Sequence, residues 1–153
     1  MKSRLYAVMT LLALVLVPMV HADIGDAGGE PADPDVAAAQ QAIKEKNWTR
    51  AVELLTKAVA RDDKNAGIHN MLGYAERQRG NLDAAFRHYE RALALDPKHR
   101  GAHEYIGEAY LTAGNLAKAE EHLARLDKLC FFPCEQYTDL KAAIAAYKQK
   151  QSK

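Results

Sequence analysis

The chain has few aromatic residues, few prolines and few cysteines, and its charges nearly cancel. Its 153 residues include one Trp, three Phe, five Pro and two Cys, and 21 Lys and Arg oppose 20 Asp and Glu, for a formal net charge of +1. Sparse aromatic residues and abundant alanine favour helices over sheets. A nearly neutral chain has no long-range field to attract nucleic acid. We therefore expect an all-α protein without a nucleic-acid partner.

Motifs that carry catalysis are missing too. The sequence has no nucleophile motif, no glycine-rich phosphate loop, and no pair of carboxylates set apart from lysine and arginine. We predict that the protein is not an enzyme, needs no cofactor, binds no metal and has no small-molecule substrate.

The first residues have the layout of a signal peptide. Lys2 and Arg4 precede an apolar run over residues 5–17, and Pro18 then breaks the helix. Cleavage is expected after Ala22, which predicts a periplasmic or secreted protein. The alternative is an uncleaved anchor, the only part that would contact a membrane, but the run is shorter than the roughly 20 residues of a spanning helix. Cleavage removes two positive charges and no negative ones, which takes the net charge from +1 to −1.

Small residues and turn sequences recur along the chain with a period of 34 residues. Ala51, Ala85 and Ala119 follow this period, and the tripeptide Gly-Asn-Leu at 80–82 returns at 114–116. A period of this length is typical of helical solenoids, in which each unit buries its apolar face only by stacking on its neighbours.

These residues resemble the tetratricopeptide repeat. The unit at 66–99 carries the family's spacing at Leu72-Gly73, Gly80, Ala85, Tyr89, Ala92 and Asp96-Pro97. The unit at 100–133 keeps most of the pattern but has Leu126 in place of the closing alanine. The unit at 35–65 is degenerate, and its turn reads Lys46-Asn47-Trp48. The resemblance implies an α-α superhelix of about three helix-turn-helix repeats.

A last helix is expected to close the solenoid, because Tyr137, Leu140, Ile144 and Tyr147 form one apolar stripe at helical spacing. Helices are predicted at 35–46, 49–61, 66–79, 82–95, 100–113, 116–129 and 135–149. The domain plan is a signal peptide at 1–22, a disordered leader at 23–34, repeats at 35–65, 66–99 and 100–133, and a capping helix and tail at 134–153.

In tetratricopeptide-repeat proteins the first helix of each unit lines a concave, peptide-binding surface. The resemblance thus implies a non-catalytic adaptor or scaffold of the bacterial cell envelope, with a partner segment of unknown identity in its groove. By position, the groove holds Gln40, Ile43, Lys44, Asn70, Tyr74, Arg77, Gln78, Glu104, Glu108, Leu111 and Thr112. The clamp that some members use for acidic chaperone tails is absent, since its positions hold Val36, Gln40, Met71, Gly101 and Tyr105.

The two cysteines enclose a Phe-Phe-Pro sequence. Because they lie within five residues and export leads to an oxidising compartment, we expect a disulfide between Cys130 and Cys134, with Phe131 and Phe132 packed beneath it. The alternative is a thiol- or metal-handling pair that serves redox chemistry or cofactor maturation. The three-residue spacer differs from the CxxC of thiol-disulfide oxidoreductases, which favours the structural role.

Four histidines also follow the period of 34. His69 lies one period before His103, and His88 lies one period before His122. His99 and His103 have the i, i+4 spacing of metal ligands on one helix face. A repeat duplicates whatever it contains, however, so paired histidines arise without any site. A further alternative is a structural role, in which alanine-rich solenoids stack end to end.

Overall fold

A computed structural model describes residues 33–152 of the protein. That part consists of seven helices without a strand: α1 Pro34–Lys44, α2 Trp48–Arg61, α3 Ala66–Gln78, α4 Leu82–Leu95, α5 Arg100–Thr112, α6 Leu116–Leu129 and α7 Glu135–Gln151. The all-α solenoid is confirmed. Over the same residues, no helix has both the length and the apolar character needed to cross a membrane.

The N-terminal expectations fall largely outside this part. The signal peptide at 1–22 and the leader as far as residue 32 lie outside the described residues. The expected leader ends at residue 34, whereas α1 begins at Pro34. Asp33 caps that helix, and its Oδ1 accepts a hydrogen bond from the backbone N–H of Asp35 at 2.8 Å. Proline suits a first helical turn, where its missing N–H would have no helical partner.

The three helical hairpins turn in the same way. Gly80 and Gly114 have φ angles of 82° and 78°, and Lys46 takes the equivalent place with a φ of 57°. After Gly80, the backbone N–H of Asn81 donates to the carbonyl of Glu76 at 2.9 Å, and matching bonds close the other two turns. Glycine adopts this left-handed conformation without strain, whereas a side chain makes it costly. The first turn is therefore the least favourable of the three.

The small residues of the repeat lie where helices approach closely. Ala51, Ala85 and Ala119 are each 0% exposed. A Cβ atom added to Gly73 in α3 would lie 2.7 Å from two ring carbons of Tyr89 in α4. The period of 34 therefore reflects steric need at the helix contacts, as it should in close-packed hairpins.

The helix α7 packs against α5 and α6 and closes the array. Leu140 and Ile144 are buried, and Tyr137 and Tyr147 pack beside them as partly buried side chains. The expected capping helix and its apolar stripe are thus present.

The loop between α6 and α7 differs from expectation. The Sγ atoms of Cys130 and Cys134 lie 2.07 Å apart, at disulfide distance. Phe131 and Phe132, expected to pack beneath them, are instead 94% and 75% exposed. The reason is that Leu126 of α6 and Leu140 of α7, both 0% exposed, already fill the contact between these helices. The two phenylalanine rings lie outside this contact and are exposed to solvent.

Candidate functional site

The helices α1, α3 and α5 together line a cavity of about 350 Å³, which we call the tyrosine cavity. Its walls are formed by Gln40, Ile43, Lys44, Asn70, Met71, Tyr74 and Tyr105. The three helices are the first helices of their repeats, so the cavity lies on the surface where the repeat resemblance placed a groove. Apolar walls with a few polar groups are the usual make-up of a binding site.

Aromatic rings form one wall of this cavity. The ring centroids of Tyr74 and Tyr105 are 5.0 Å apart, and Trp48 meets Tyr74 edge-on at 5.9 Å. The guanidinium carbon of Arg77 lies 5.6 Å from the Tyr74 centroid and 6.0 Å from that of Tyr105. Distances of this kind are favourable for a cation over aromatic faces. The wall is therefore built from side chains that hold one another in place.

Asn70 brings an unsatisfied polar group to the cavity. Its side chain lines the cavity and is only 8% exposed, yet its Oδ1 has no hydrogen-bond partner among the described residues. A Cβ atom at position 101 would lie 3.3 Å from Asn70 Nδ2, so glycine at that position leaves room for the amide. A buried polar atom without a partner costs about 1–3 kcal/mol. A ligand that donates a hydrogen bond here would remove that cost.

A second cavity, of about 430 Å³, lies between α3, α5 and α7. It is lined by Arg77, Glu108, Leu111, Thr112, Ala143, Ala146, Tyr147 and Lys150. Arg77 Nη2 donates to Glu108 Oε2 at 2.6 Å, and these side chains are 15% and 25% exposed. Arg77 therefore belongs both to this cavity and, through its contact with the tyrosine rings, to the edge of the first.

The residues assigned to the groove from the sequence divide between these cavities. The tyrosine cavity contains Gln40, Ile43, Lys44, Asn70 and Tyr74, and the second cavity contains Arg77, Glu108, Leu111 and Thr112. Two residues line neither: Gln78 is exposed to solvent and Glu104 is 7% exposed.

Several lining residues escaped the sequence reasoning. Met71 and Tyr105 lie 34 positions apart, so the period itself pairs them, and both follow directly after residues that were assigned to the groove. Ala143, Ala146 and Tyr147 belong to α7, which was interpreted only as a cap. The signal that was available is the set of small residues beside its apolar stripe.

Glu104 is the most perturbed carboxyl on this side of the molecule. Burial raises its pKa to about 7, and the negative charges of Glu108, Asp139 and Glu135 add to the effect. Burial also raises the pKa of Tyr105 to about 12, with a further contribution from Glu104. Glu104 is therefore protonated at higher pH than an exposed glutamate.

The histidine pair considered as metal ligands is not brought together. His99 caps α5, where its Nδ1 accepts a hydrogen bond from the backbone N–H of Ala102 at 3.1 Å. His103 faces His122 instead. Residues 33–152 contain no group of three His, Cys, Asp or Glu side chains placed to hold a metal ion.

Helical hairpins stacked with a 34-residue period define a helical-repeat solenoid, and comparison with known families identifies its type. Two family models, both described as tetratricopeptide repeat, match the chain, one over residues 36–98 and the other over residues 76–144. The chain belongs to the tetratricopeptide-repeat family. No curated protein matches the sequence.

Solved structures of other proteins share this fold, and three of them serve as examples. The Yersinia enterocolitica type III secretion chaperone SycD, in complex with a peptide of the translocator YopD, has a TM-score of 0.70 at 19% identity, over 83% of this chain and 99% of that one. The second tetratricopeptide domain of human RPAP3, in complex with an HSP70 peptide, has a TM-score of 0.65 at 21% identity, over 74% of this chain and 92% of that one. The tetratricopeptide domain of Sgt2 from Aspergillus fumigatus has a TM-score of 0.69 at 20% identity, over 78% of each chain.

Proposed function

We propose that this protein is a non-catalytic interaction module that binds an extended segment of a partner protein across the face lined by α1, α3 and α5. The observation that carries the proposal is the tyrosine cavity, at whose wall the buried Oδ1 of Asn70 has no hydrogen-bond partner among residues 33–152. An amide side chain can pair with a peptide main chain, and an adjacent apolar cavity can hold one of its side chains.

The character of the cavity limits the partner. Its apolar lining of Ile43, Met71 and two tyrosine rings suits an aliphatic or aromatic side chain, and Lys44 is the one charged residue among the described residues that line it. The SycD and RPAP3 structures are both peptide complexes, which supports peptide binding as the mode of action. Their partners are not carried over, since identity is 21% or less. The acidic-tail clamp is absent here, because Met71 and Tyr105 occupy two of its positions.

The proposal places the protein outside the cytoplasm of a bacterium, as a periplasmic or secreted chain cleaved after Ala22. In that compartment the pair Cys130 and Cys134 forms a disulfide, in keeping with sulfur atoms 2.07 Å apart. Intact mass of the mature protein tests both statements. The expected mass is that of residues 23–153 less two hydrogen atoms, and two thiols that react with alkylating reagent before reduction would contradict the disulfide.

Binding is tested by capture from an envelope extract, with the mature chain as bait beside an Asn70→Ala, Tyr74→Ala variant. An Arg87→Ala, Glu90→Ala variant is the matched control, because both residues are exposed on α4, away from the cavity. A partner should be retained by the wild type and the control. Its purified segment should bind the cavity variant at least about tenfold more weakly, as expected when a central contact is lost. Equal binding to all three proteins would refute the groove as the working surface.

A further inference from the structure

Phe131 and Phe132 form a preorganised apolar projection, here called the phenylalanine knob. Within residues 33–152 they are the large hydrophobic side chains left exposed, at 94% and 75%. Their rings meet edge-to-face, with centroids 4.8 Å apart and planes at 89°. The loop that carries them is closed by Cys130 and Cys134 and contains Pro133. A projection restrained in this way loses little conformational entropy when it docks.

The same molecule offers an apolar cavity of suitable size. The tyrosine cavity measures about 350 Å³ and presents the rings of Tyr74 and Tyr105, beside Ile43. Aromatic rings favour edge-to-face contacts with other rings, which adds to the gain from burying their surface. No residue of the knob's loop lines this cavity, so within one chain the two surfaces stay apart. A second copy brings them together.

The charges at the two surfaces include one opposite pair. Among the described residues that line the tyrosine cavity, Lys44 is the one with a charge, and its side chain is exposed. Asp127 and Lys141 are both exposed and line the hollow beside Phe131 at the base of the knob. The Nζ of Lys141 lies 5.5 Å from the centroid of the Tyr137 ring. Asp127 is therefore the group that can pair with Lys44. Opposite charges beside an apolar contact favour one docking orientation and contribute little raw affinity.

We propose that the phenylalanine knob of one molecule docks into the tyrosine cavity of a second copy. The contact is heterologous, so each molecule keeps a free knob or a free cavity and the association can extend head to tail. It rests on the proposed function in one respect, because the same cavity holds the partner segment. Partner binding and self-association therefore exclude each other.

The contact is weak because it buries a small area. Each phenyl group buries on the order of 150–250 Å². Two such groups and the cavity that receives them stay below the roughly 1,200 Å² at which stable interfaces begin. Self-association should accordingly be transient and should yield to a partner that also engages Asn70.

Sedimentation velocity of the mature chain, from low to high micromolar concentration, tests the proposal. The average mass of the wild type should rise with concentration, whereas a Phe131→Ser, Phe132→Ser variant should stay monomeric. Because both residues are exposed, this variant keeps the fold. A Tyr74→Ala, Lys44→Glu variant, checked for helicity, should also stay monomeric. An equimolar mixture of the two variants should form dimers but nothing larger, since it contains one intact knob and one intact cavity per pair.

Three results would overturn the proposal. The first is a wild type that remains monomeric at every concentration. The second is self-association that survives loss of the knob. The third is a monomeric wild type that sediments with phosphatidylglycerol vesicles while the knob variant does not, which would make the membrane surface the occupant.

The proposed function is judged separately, by the binding of the partner segment to the knob variant. The knob variant should bind that segment at least as well as the wild type does. If self-association fails but the Asn70→Ala, Tyr74→Ala variant still loses the partner, only the knob proposal falls. If self-association occurs and no partner depends on the cavity, only the proposed function falls.

Discussion

The Nδ1 atom of His103 lies 2.9 Å from the Nδ1 atom of His122, on the neighbouring helix of the same repeat. The Nε2 atom of His103 is 3.1 Å from the carbonyl oxygen of Pro97. Because a carbonyl oxygen only accepts, Nε2 of His103 carries the hydrogen. In the neutral pair, Nδ1 of His122 must then be the donor to Nδ1 of His103.

The preceding repeat contains a second histidine pair of the same design. Nδ1 of His69 lies 3.4 Å from Nδ1 of His88, and Nε2 of His69 is 3.0 Å from the carbonyl oxygen of Asp63. Each pair joins the two helices of its hairpin. Protonation of both rings would leave two cations in contact, so each pair favours a state with at most one charge.

Through these pairs, the free energy of unfolding should fall as the pH drops from about 6.5 towards 4, whereas Glu104, whose pKa is raised, contributes in the opposite direction. Burial, together with a smaller contribution from the adjoining His103, lowers the pKa of His122 to about 4. Burial likewise lowers the pKa of His103 and of His88. The folded pKa values lie below the ordinary value near 6.5, so the unfolded chain binds more protons in this window and unfolding becomes easier as pH falls.

Urea unfolding at several pH values checks this expectation. Between pH 7 and pH 4, a His88→Gln, His122→Gln variant should lose less unfolding free energy than the wild type does, because it removes the rings that resist protonation. The control is His99→Asn, which keeps a capping side chain and leaves both pairs in place. Equal slopes for wild type and double variant would show that the pairs do not govern acid stability.

These pairs illustrate what the sequence does and does not predict. The period relates His69 to His103 and His88 to His122, because a duplicated unit repeats its residues. The contact, however, joins His103 to His122, 19 positions apart, and depends on how α5 packs against α6. The fold follows from spacing, since small residues mark the helix contacts.

Exposure is harder to predict than the fold, because it depends on which neighbour already fills a space. Phe131 and Phe132 resemble core residues in the sequence, yet the core between α6 and α7 is formed by Leu126 and Leu140, and the two rings are exposed. The same reasoning applies to the groove. Glu104 lies on a helix that lines it, but the side chain is 7% exposed and lines neither cavity.

Replacement of Lys46 by glycine should stabilise the protein. Lys46 has a φ of 57° at a position where the other two hairpins have Gly80 and Gly114. Relief of the left-handed strain outweighs the greater flexibility of glycine in the unfolded chain, so we expect a gain of about 0.5–1 kcal/mol in the free energy of unfolding. The control is Glu45→Gly, one residue earlier in right-handed backbone, which should destabilise. If Lys46→Gly lowered the free energy of unfolding, the inference that the backbone at Lys46 is strained would be wrong.

The two Gly-Asn-Leu turns should respond differently to loss of asparagine. Asn115 Oδ1 accepts a hydrogen bond from the backbone N–H of Lys118 at 3.1 Å. Asn81 occupies the same position in its repeat, but its side chain makes no capping bond. Asn115→Ala should cost about 1 kcal/mol of unfolding free energy, whereas Asn81→Ala should cost a few tenths. Chemical denaturation of both variants measures the difference, and equal losses would mean that Asn81 caps its helix in solution.

The equivalent glycines at 73 and 107 should also differ in their tolerance of a methyl group. A Cβ atom on Gly73 would lie 2.7 Å from two ring carbons of Tyr89, which is 0% exposed, and a rigid ring cannot yield. A Cβ atom on Gly107 would lie 2.6 Å and 2.8 Å from the two terminal methyl groups of Leu140, which is also 0% exposed but is a flexible aliphatic side chain and not a rigid ring. Gly73→Ala should therefore cost about 1–3 kcal/mol, and Gly107→Ala less.

A double-mutant cycle with Tyr89→Leu separates this clash from other effects of the methyl group. If the ring is the obstacle, Gly73→Ala should cost less in the Tyr89→Leu background than in the wild type, because a branched side chain can shift where the ring cannot. The same cycle with Gly107→Ala should show no such coupling, since that methyl group faces Leu140. Equal costs of Gly73→Ala in both backgrounds would mean that backbone effects, and not the contact with Tyr89, explain the glycine at position 73.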